Sequence, residues 1–131
     1  MKASDIMRRP VVAATPTATA RDVAIQLLMG EFSGVPVAQS DGRVVGVVTE
    51  LDLIRAALRA DKALETTLAQ DIMTRDVTTV DADTSLEEIM KVLDEKNIIR
   101  VPVTDQGKLV GIISRSDVLR TMIEPTFLRF P

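Results

Sequence analysis

The sequence predicts an α/β fold composed of two similar halves. A seven-residue pattern occurs twice, at residues 46–52 and 111–117. Each copy holds a glycine, two β-branched apolar residues, a hydroxyl residue and, three positions later, an aspartate. Short apolar runs alternate along the chain with segments in which apolar residues recur at helical spacing, which predicts strands alternating with helices. Two copies of one supersecondary unit would explain both observations.

Two further motifs recur at a shift of 66 residues. Asp-Ile-Met and Val-Pro-Val occupy residues 5–7 and 35–37 in the first copy, and residues 71–73 and 101–103 in the second. The shift falls to 65 after Val-Pro-Val, in a loop, where a deletion is tolerated best. We therefore expect a first repeat at residues 1–60, a linker at 61–68, a second repeat at 69–124 and a tail at 125–131.

Each repeat is predicted to run in the order β-α-β-β-α. In the first repeat we expect strands at residues 11–14, 35–38 and 43–48, and helices from the cap Thr19 to about residue 31 and over residues 50–59. Asp41-Gly42 is typical of the turn of a β-hairpin. Leu64 and Leu68 of the linker could lie on a short helix.

The second repeat follows the same order. We expect strands at residues 77–80, 100–104 and 108–113, and helices from the cap Ser85 to about residue 96 and from residue 116 to about 122. Pro125 is expected to end the last helix, because proline has no backbone N–H to donate.

The composition excludes several kinds of site. The chain has no cysteine and no histidine, so neither a disulfide nor a Ser-His-Asp triad can form, and we expect no metal site. The net charge of −3, without a basic block, argues against a nucleic-acid partner. Aromatic residues are limited to Phe32, Phe127 and Phe130. There is no apolar run long enough for a membrane span and no secretory signal, so we expect a cytoplasmic protein that does not bind membranes.

The repeated hydroxyl–aspartate pairs, Thr49 with Asp52 and Ser114 with Asp117, stand where a helix is predicted to begin. One interpretation is a helix cap, in which both side chains satisfy free backbone N–H groups. The other is a nucleotide site: a helix N-terminus favours a phosphate, and a carboxylate one turn later can accept hydrogen bonds from two ribose hydroxyls. A cap is the simpler explanation of one copy, whereas two copies after the same kind of strand favour a nucleotide site.

On these motifs the chain resembles a tandem pair of cystathionine β-synthase (CBS) domains, also called a Bateman module. The resemblance covers about residues 3–123 and implies two pseudo-symmetric β-α-β-β-α units packed through their sheets. It also implies a non-catalytic regulatory module that signals to a partner protein by a conformational change. The clefts of such a pair bind adenosyl ligands such as AMP, ADP, ATP or S-adenosylmethionine, so an adenine nucleotide would be a regulatory ligand rather than a required cofactor.

The resemblance assigns roles to individual residues. Asp52 and Asp117 would hold the ribose, while Thr49 and Ser114 would reach the phosphate. Adenine would lie against Val101, Pro102, Met7 and Val11 in one cleft, and against Val35, Pro36, Met73 and Val77 in the other. Two simpler explanations stay open: Val-Pro-Val could be an edge strand that tolerates a missing donor, and the methionines could fill the core.

The two clefts are not expected to bind equally. Arg100 and Arg115 flank the pair that contains Asp117, whereas Gly34 and Glu50 occupy the matching positions of the first repeat. Guanidinium groups bind phosphate in bidentate fashion, so we expect this cleft to bind phosphorylated ligands more tightly. A solvated surface side chain is the alternative for each arginine.

Apolar faces on the predicted helices, together with the family resemblance, predict a homodimer. The tail at residues 126–131 is expected to pack on the body of the protein or against a partner. A structural dimerisation or scaffold module with vestigial clefts is the alternative function. An enzyme would need a carboxylate or lysine centre, and we find no second carboxylate placed for one.

Overall fold

The structure is a computed structural model that describes residues 1–30, 32–59 and 63–127, with side chains up to Ile123. The helices are α1 (Ala3–Ile6), α2 (Ala20–Gly30), α3 (Glu50–Arg59), α4 (Ala69–Ile72), α5 (Leu86–Glu95) and α6 (Arg115–Phe127). The strands are β1 (Gly34–Ala38), β2 (Val44–Thr49), β3 (Val80–Asp81), β4 (Arg100–Asp105) and β5 (Lys108–Ser114). These elements confirm the predicted α/β class. None of the helices in the described ranges has the length and apolar character needed to cross a membrane.

The chain folds into two compact units that are offset from the sequence repeats. One unit is Val12–Val77, which we call the Asp52 unit. The other combines Met1–Val11 with the residues from Thr78 on, and we call it the Asp117 unit. Each unit therefore contains the body of one repeat and the Asp-Ile-Met motif of the other.

In the Asp52 unit, β1 and β2 form an antiparallel pair in which Gly34 lies opposite Thr49. Ala14 bridges to β1 in parallel, and Thr74 bridges to β2 in antiparallel orientation. The hairpin turn contains Gly42 at a φ of 91°, a conformation that glycine adopts without strain, as the Asp-Gly signal predicts. The apolar core side chains are those of Ala14, Ala20, Val23, Leu27, Val35, Val37, Val48, Leu53 and Ala69.

The Asp117 unit has the same arrangement. Strand β3 runs parallel to β4, and β4 is antiparallel to β5, with Arg100 opposite Ser114. Arg8 bridges to Ile112 of β5, as Thr74 does to β2 in the other unit. The apolar core side chains are those of Ala3, Val80, Ile89, Leu93, Val101, Val103, Ile113 and Val118.

Two predicted helix caps are confirmed. The hydroxyl of Thr19 accepts a hydrogen bond from the backbone N–H of Asp22 at 3.1 Å, at the start of α2. The hydroxyl of Ser85 accepts one from the N–H of Glu88 at 3.2 Å, at the start of α5. Both hydroxyls satisfy a donor that the first helical turn leaves free, which is why these helices begin where the sequence indicates.

The predicted opening strands at residues 11–14 and 77–80 are largely wrong. Only Ala14 of the first pairs with a neighbour, and only Val80, with Asp81, forms a strand in the second. The chain leaves one unit and enters the other after Val11 and again after Val77. Each predicted strand is therefore divided between two units, and only its far end joins a sheet.

Two helix predictions are also wrong. Helix α6 continues through Pro125 to Phe127, because a proline removes only one N–H donor and here lies close to the end of the helix. Leu64 and Leu68 lie on no helix: Leu64 is in a turn, and Leu68 bridges to Thr19. Residue 31, residues 60–62 of the linker region and residues 128–131 lie outside the described residues. The helix end expected near residue 31 and most of the tail at residues 126–131 fall there.

Candidate functional site

In the Asp117 unit, the junction between β5 and α6 is built around a buried carboxylate. The side chain of Asp117 is only 4% exposed. Its Oδ2 accepts hydrogen bonds from the backbone N–H of Ser114 at 2.9 Å and from the Ser114 hydroxyl at 3.0 Å. The Ser114 Oγ also lies 2.8 Å from Ser116 Oγ. Ser114 and Asp117 thus form a cap at the start of the helix, which is one of the two interpretations of the motif.

The other oxygen of Asp117 is bound by two arginines. Arg8 Nε lies 2.7 Å from Oδ1, and Arg120 Nη1 lies 3.2 Å from the same atom. The side chains of Arg8 and Arg120 are 59% and 49% exposed, so their guanidinium groups remain in contact with solvent while the carboxylate does not. The junction is therefore a cationic surface over a buried anion.

The electrostatic environment keeps Asp117 ionised. Burial by itself raises the pKa of this carboxyl, because the charged form loses hydration. The backbone N–H of Ser114, the Arg8 guanidinium and the Ser114 hydroxyl outweigh that effect and hold the pKa of Asp117 below its ordinary value of 3.8. The carboxylate is thus a permanent hydrogen-bond acceptor at neutral pH.

The apolar residues predicted for this site lie around the same sheet. Val101 and Pro102 are buried and stand opposite Ile113 and Ile112 in the β4–β5 pair. Met7 packs over the backbone of Gly111, where an added Cβ would fall 2.7 Å from Met7 Cγ. Val11 is half-buried and lies on irregular backbone instead of in the strand predicted at residues 11–14.

The two predicted arginines lie in different surroundings. Arg100 is half-buried and lies directly across from Ser114 in the sheet. The guanidinium of Arg115 instead donates to the carbonyl of Ile98 at 2.9 Å and to Asn97 Oδ1 at 3.3 Å. These partners lie in the turn before β4, so the Arg115 guanidinium is bound to that turn, whereas Arg8 and Arg120 bind Asp117 Oδ1.

The equivalent junction of the Asp52 unit is more open. Asp52 is half-buried, and its Oδ2 accepts the backbone N–H of Thr49 at 2.9 Å while the Thr49 hydroxyl accepts the N–H of Asp52 at 3.1 Å. The hydroxyl of Thr74 donates to the carboxylate at 3.2 Å and 3.4 Å, to Oδ1 and Oδ2 respectively. A neutral hydroxyl therefore stands where the Asp117 unit has a guanidinium.

The apolar neighbours of Asp52 repeat the pattern of the other unit. Val35 and Pro36 are buried in β1, next to the strand that leads to Thr49. Met73 packs over Gly46, with its Cγ 2.7 Å from the position of an added Cβ. Val77 is half-buried on irregular backbone, like its counterpart in the first repeat.

Sequence reasoning missed Arg8, Thr74 and Arg120. Arg8 and Asp117 are 109 residues apart, so no local spacing could join them. The repeat contained a usable signal, because Arg8 and Thr74 each follow an Asp-Ile-Met motif at the shift of 66. Arg120 lies three residues after Asp117, as Arg55 does after Asp52, and i,i+3 neighbours meet on a helix.

Known proteins are similar to this chain in sequence and in fold. An uncharacterized protein of Methanopyrus kandleri is 32% identical over 122 residues, which are 92% of this chain and 61% of the relative. This chain therefore spans less than two thirds of that relative's length. The Arabidopsis thaliana protein CBSX2, solved in complex with AMP, is 27% identical with a TM-score of 0.82, over 95% of this chain and 98% of that one.

A second solved structure is the CBS domain pair of protein MJ0100 in complex with 5-methylthioadenosine and S-adenosyl-L-methionine. It is 26% identical with a TM-score of 0.80, over 95% of this chain and 98% of that chain. The CBS domain family itself matches residues 3–59 and 69–124. These two matches contain both copies of the strand–helix junction described above, and the chain belongs to the CBS domain family as a tandem pair of CBS domains.

Proposed function

We propose that this tandem pair is a non-catalytic regulatory module that binds an adenosyl ligand of the AMP, ADP, ATP or S-adenosylmethionine type. The observation that carries this proposal is an arrangement present in both units. In each, an aspartate at a strand-to-helix junction lies beside a methionine-covered glycine and a buried Val-Pro-Val strand. Ligand binding would be reported to a partner protein by a conformational change.

The chemistry of this arrangement fits an adenosyl group. A carboxylate accepts hydrogen bonds from two adjacent hydroxyls, which is the donor pattern of a ribose. The partial positive charge at the start of α3 and α6 favours an anion. The aliphatic and thioether side chains of the Val-Pro-Val strands and of Met7 and Met73 offer apolar surface for a purine ring, without an aromatic residue.

Two structural neighbours support the same ligand class. CBSX2 was solved with AMP, and the MJ0100 domain pair with 5-methylthioadenosine and S-adenosyl-L-methionine. All three molecules contain an adenine joined to a ribose, and they differ in the group at the 5′ position. We infer that the ribose and adenine contacts are shared in this chain and that the neighbouring charges select the 5′ group.

We further propose that the Asp117 unit prefers phosphorylated ligands. Arg8, Arg100 and Arg120 surround its junction, whereas Thr74 and Gly34 occupy the positions of Arg8 and Arg100 in the Asp52 unit. A guanidinium attracts a phosphate more strongly than a hydroxyl or a glycine does. We therefore propose the same preference for phosphorylated ligands that the sequence led us to expect. Arg8, instead of Arg115, would be the guanidinium that acts together with Arg100.

A scaffold module with vestigial clefts is the competing function, and one observation favours it. Both hydroxyl–aspartate pairs are satisfied within the protein, as helix caps. A helix cap forms without a ligand, so the pairs alone do not distinguish the two functions. Thr74 and Arg8 are the reason to favour ligand binding, because they add polar groups to a carboxylate that already has its cap.

We also propose that the chain forms a homodimer through its helices. In α3, Leu51, Ile54 and Leu58 are 49%, 56% and 82% exposed, and in α6 Leu119, Met122 and Ile123 are 58%, 58% and 56% exposed. Apolar side chains in such rows on a helix surface are typical of an interaction face. A second copy of the chain would cover the same face by symmetry.

The function can be tested by thermal unfolding with AMP, ADP, ATP, S-adenosylmethionine and adenosine. A ligand that binds only the folded state stabilises it by about 2.7 kcal/mol at roughly 100 times its Kd. We expect at least one of these compounds to raise the Tm of the protein, and the double variant Asp52→Ala/Asp117→Ala to lose that response. Tm values that none of the five compounds changes would favour the scaffold function.

A further inference from the structure

The residue that follows Asp-Ile-Met contacts the ribose-binding candidate in both units, but its chemistry differs. In the Asp117 unit it is Arg8, whose Nε lies 2.7 Å from Asp117 Oδ1. In the Asp52 unit it is Thr74, whose hydroxyl donates to Asp52 at 3.2 Å. Both residues pair with the adjacent strand through their backbone, so the two side chains start from equivalent positions.

Asp117 has no acceptor capacity left for a ribose. A carboxylate offers about four acceptor sites, two on each oxygen. In Asp117, Oδ2 accepts from the N–H and the hydroxyl of Ser114, and Oδ1 accepts from Arg8 and Arg120. A ribose diol can therefore bind this carboxylate only if it displaces a donor that is already in place.

Asp52 has capacity to spare. Within the part of the chain that the structure describes, its donors are the N–H of Thr49 and the hydroxyl of Thr74. The Thr74 hydroxyl lies 3.2 Å from Oδ1 and 3.4 Å from Oδ2, which are long distances for a hydrogen bond between oxygen atoms. A ribose hydroxyl can replace a neutral, loosely held donor of this kind at little cost.

Arg8 reaches Asp117 with an exposed side chain from a backbone that is held in place. Its side chain is 59% exposed, whereas its backbone is fixed to Ile112 by hydrogen bonds of 2.8 Å and 3.2 Å. The side chain can thus swing away while the chain stays in place. Arg120, whose Nη1 lies 3.2 Å from Oδ1, is the second donor on this oxygen, and Arg55 occupies its sequence position in the first repeat.

We propose that Arg8 is a gate that makes the Asp117 site specific for phosphorylated nucleosides. A phosphate on the ligand gives the Arg8 guanidinium a new anion to bind and so frees one of the two acceptor sites of Asp117 Oδ1 for a ribose hydroxyl. An uncharged nucleoside offers no such anion, and its ribose has to break the ion pair without compensation. The Asp52 site has no such gate and accepts adenosyl ligands with or without a phosphate.

Because this gate depends on the adenosyl sites proposed above, its test isolates one site at a time. Calorimetry in the Asp52→Ala background measures the Asp117 site, with AMP and adenosine as the two probes. The test variant is Arg8→Thr, which introduces the residue found at the equivalent position 74. Arg8→Gln, which keeps the length of the side chain without its charge, is a second variant, and the Tm of each protein shows that it is folded.

We expect the two affinities to change in opposite directions. Arg8→Thr should weaken AMP binding by roughly tenfold or more, the effect of losing one charge-assisted contact, and should strengthen adenosine binding. Weaker AMP binding with unchanged adenosine binding would make Arg8 a simple phosphate ligand, and weaker binding of both probes would make it structural. Either result overturns the gate while leaving the proposed function intact. Absence of binding by both probes to the wild type would overturn the gate, and only unchanged Tm values with all five compounds named above would overturn the proposed function as well.

The reciprocal substitution is the matched control. Thr74→Arg in an Asp117→Ala background places a guanidinium beside Asp52 and should weaken adenosine binding at that site more than AMP binding. A gate that can be moved from one unit to the other cannot be ascribed to other differences between them. Equal losses for AMP and adenosine at the Asp52 site would contradict the gate.

Discussion

In the Asp117 unit, the side chain of Met7 lies directly over Gly111 of β5. A Cβ added at Gly111 would come within 2.7 Å of Met7 Cγ and 2.8 Å of Met7 Cβ. Gly46 and Met73 have the same relationship in the Asp52 unit, with an added Cβ 2.7 Å from Met73 Cγ. The glycine of each repeated motif therefore makes room for the methionine of the Asp-Ile-Met motif, and this contact fixes where the following residue, Arg8 or Thr74, meets the sheet.

Gly111→Ala should therefore destabilise the protein. Overpacking at a close contact typically costs about 1–3 kcal/mol, because Met7 and its backbone must shift. Chemical denaturation of the wild type and the variant measures the change in the free energy of unfolding. In a Met7→Ala background the same substitution should cost less, since the Sδ and Cγ atoms that it meets are gone and only the contact with Cβ at 2.8 Å remains. In a Met73→Ala background, where the altered methionine contacts Gly46 in the other unit, the two costs should simply add.

The stability of the protein should depend on pH through Asp117. Its folded-state pKa lies below the ordinary value of 3.8, so its ionised form stabilises the folded state at neutral pH. That stabilisation is lost as the pH falls toward 3.8 and below, where the unfolded chain takes up the proton first. Asp117→Asn should therefore cost most at neutral pH and progressively less in acid, as urea unfolding over this range will show.

Arg8→Gln should flatten the same pH dependence, because the guanidinium is one of the groups that lower the pKa of Asp117. Arg21→Gln is the matched control: Arg21 is an exposed arginine of α2 in the other unit, and its loss should leave the pH dependence unchanged. A wild-type protein whose unfolding free energy falls no faster in acid than that of Asp117→Asn would contradict the environment described for this carboxylate.

Local sequence signals were sufficient to predict most of the helices and strands. They were not sufficient to predict how the chain divides into two units. Helix α3 was predicted with its observed bounds, and the hydroxyls of Thr19 and Ser85 cap helices as expected, because capping depends on residues three positions apart. The strands predicted at residues 11–14 and 77–80 were largely wrong because the chain passes from one unit to the other within each of them. The prediction that Pro125 ends the last helix was wrong because a single missing N–H donor does not stop a helix.

The candidate site shows the same limit. The capping interpretation of Ser114 and Asp117 is local and is observed. Arg8 comes to Asp117 from the other end of the chain, and only the repeat alignment with Thr74 could have drawn attention to it. Arg115 is adjacent in sequence to Ser114, but helical geometry turns it toward Ile98 and Asn97 instead.

Arg115 should consequently matter little for ligand binding. Its guanidinium is held by the Ile98 carbonyl at 2.9 Å, so Arg115→Ala is expected to change the affinity for AMP by less than Arg100→Ala does. Calorimetry of both variants in the Asp52→Ala background makes the comparison at one site. A larger loss of AMP affinity in Arg115→Ala than in Arg100→Ala would restore the original expectation that Arg115 binds the phosphate.

The last prediction concerns the groove between α5 and α6 in the Asp117 unit. Its volume is about 410 Å³, and its lining is mostly apolar: Met90, Leu93, Val118, Leu119 and Met122, with Asp94, Asn97 and Arg115 as the polar residues. Leu119 and Met122 are each 58% exposed, although they continue the apolar surface of the groove. If this face meets a second copy of the chain, a charge placed there must be buried in the dimer without a partner.

Leu119→Glu and Met122→Glu should therefore convert the dimer to a monomer, while the monomer stays folded because neither side chain belongs to the buried core. Light scattering at micromolar concentration measures the mass, and circular dichroism confirms the fold. Val12→Glu is the matched control, since Val12 is 41% exposed but lies on no helix, and it should leave the dimer intact. A wild-type protein with the mass of one chain would contradict the proposed homodimer. A wild-type dimer that survives both α6 substitutions would instead move the interface away from this groove, leaving the exposed face of α3 as the surface to test by Ile54→Glu.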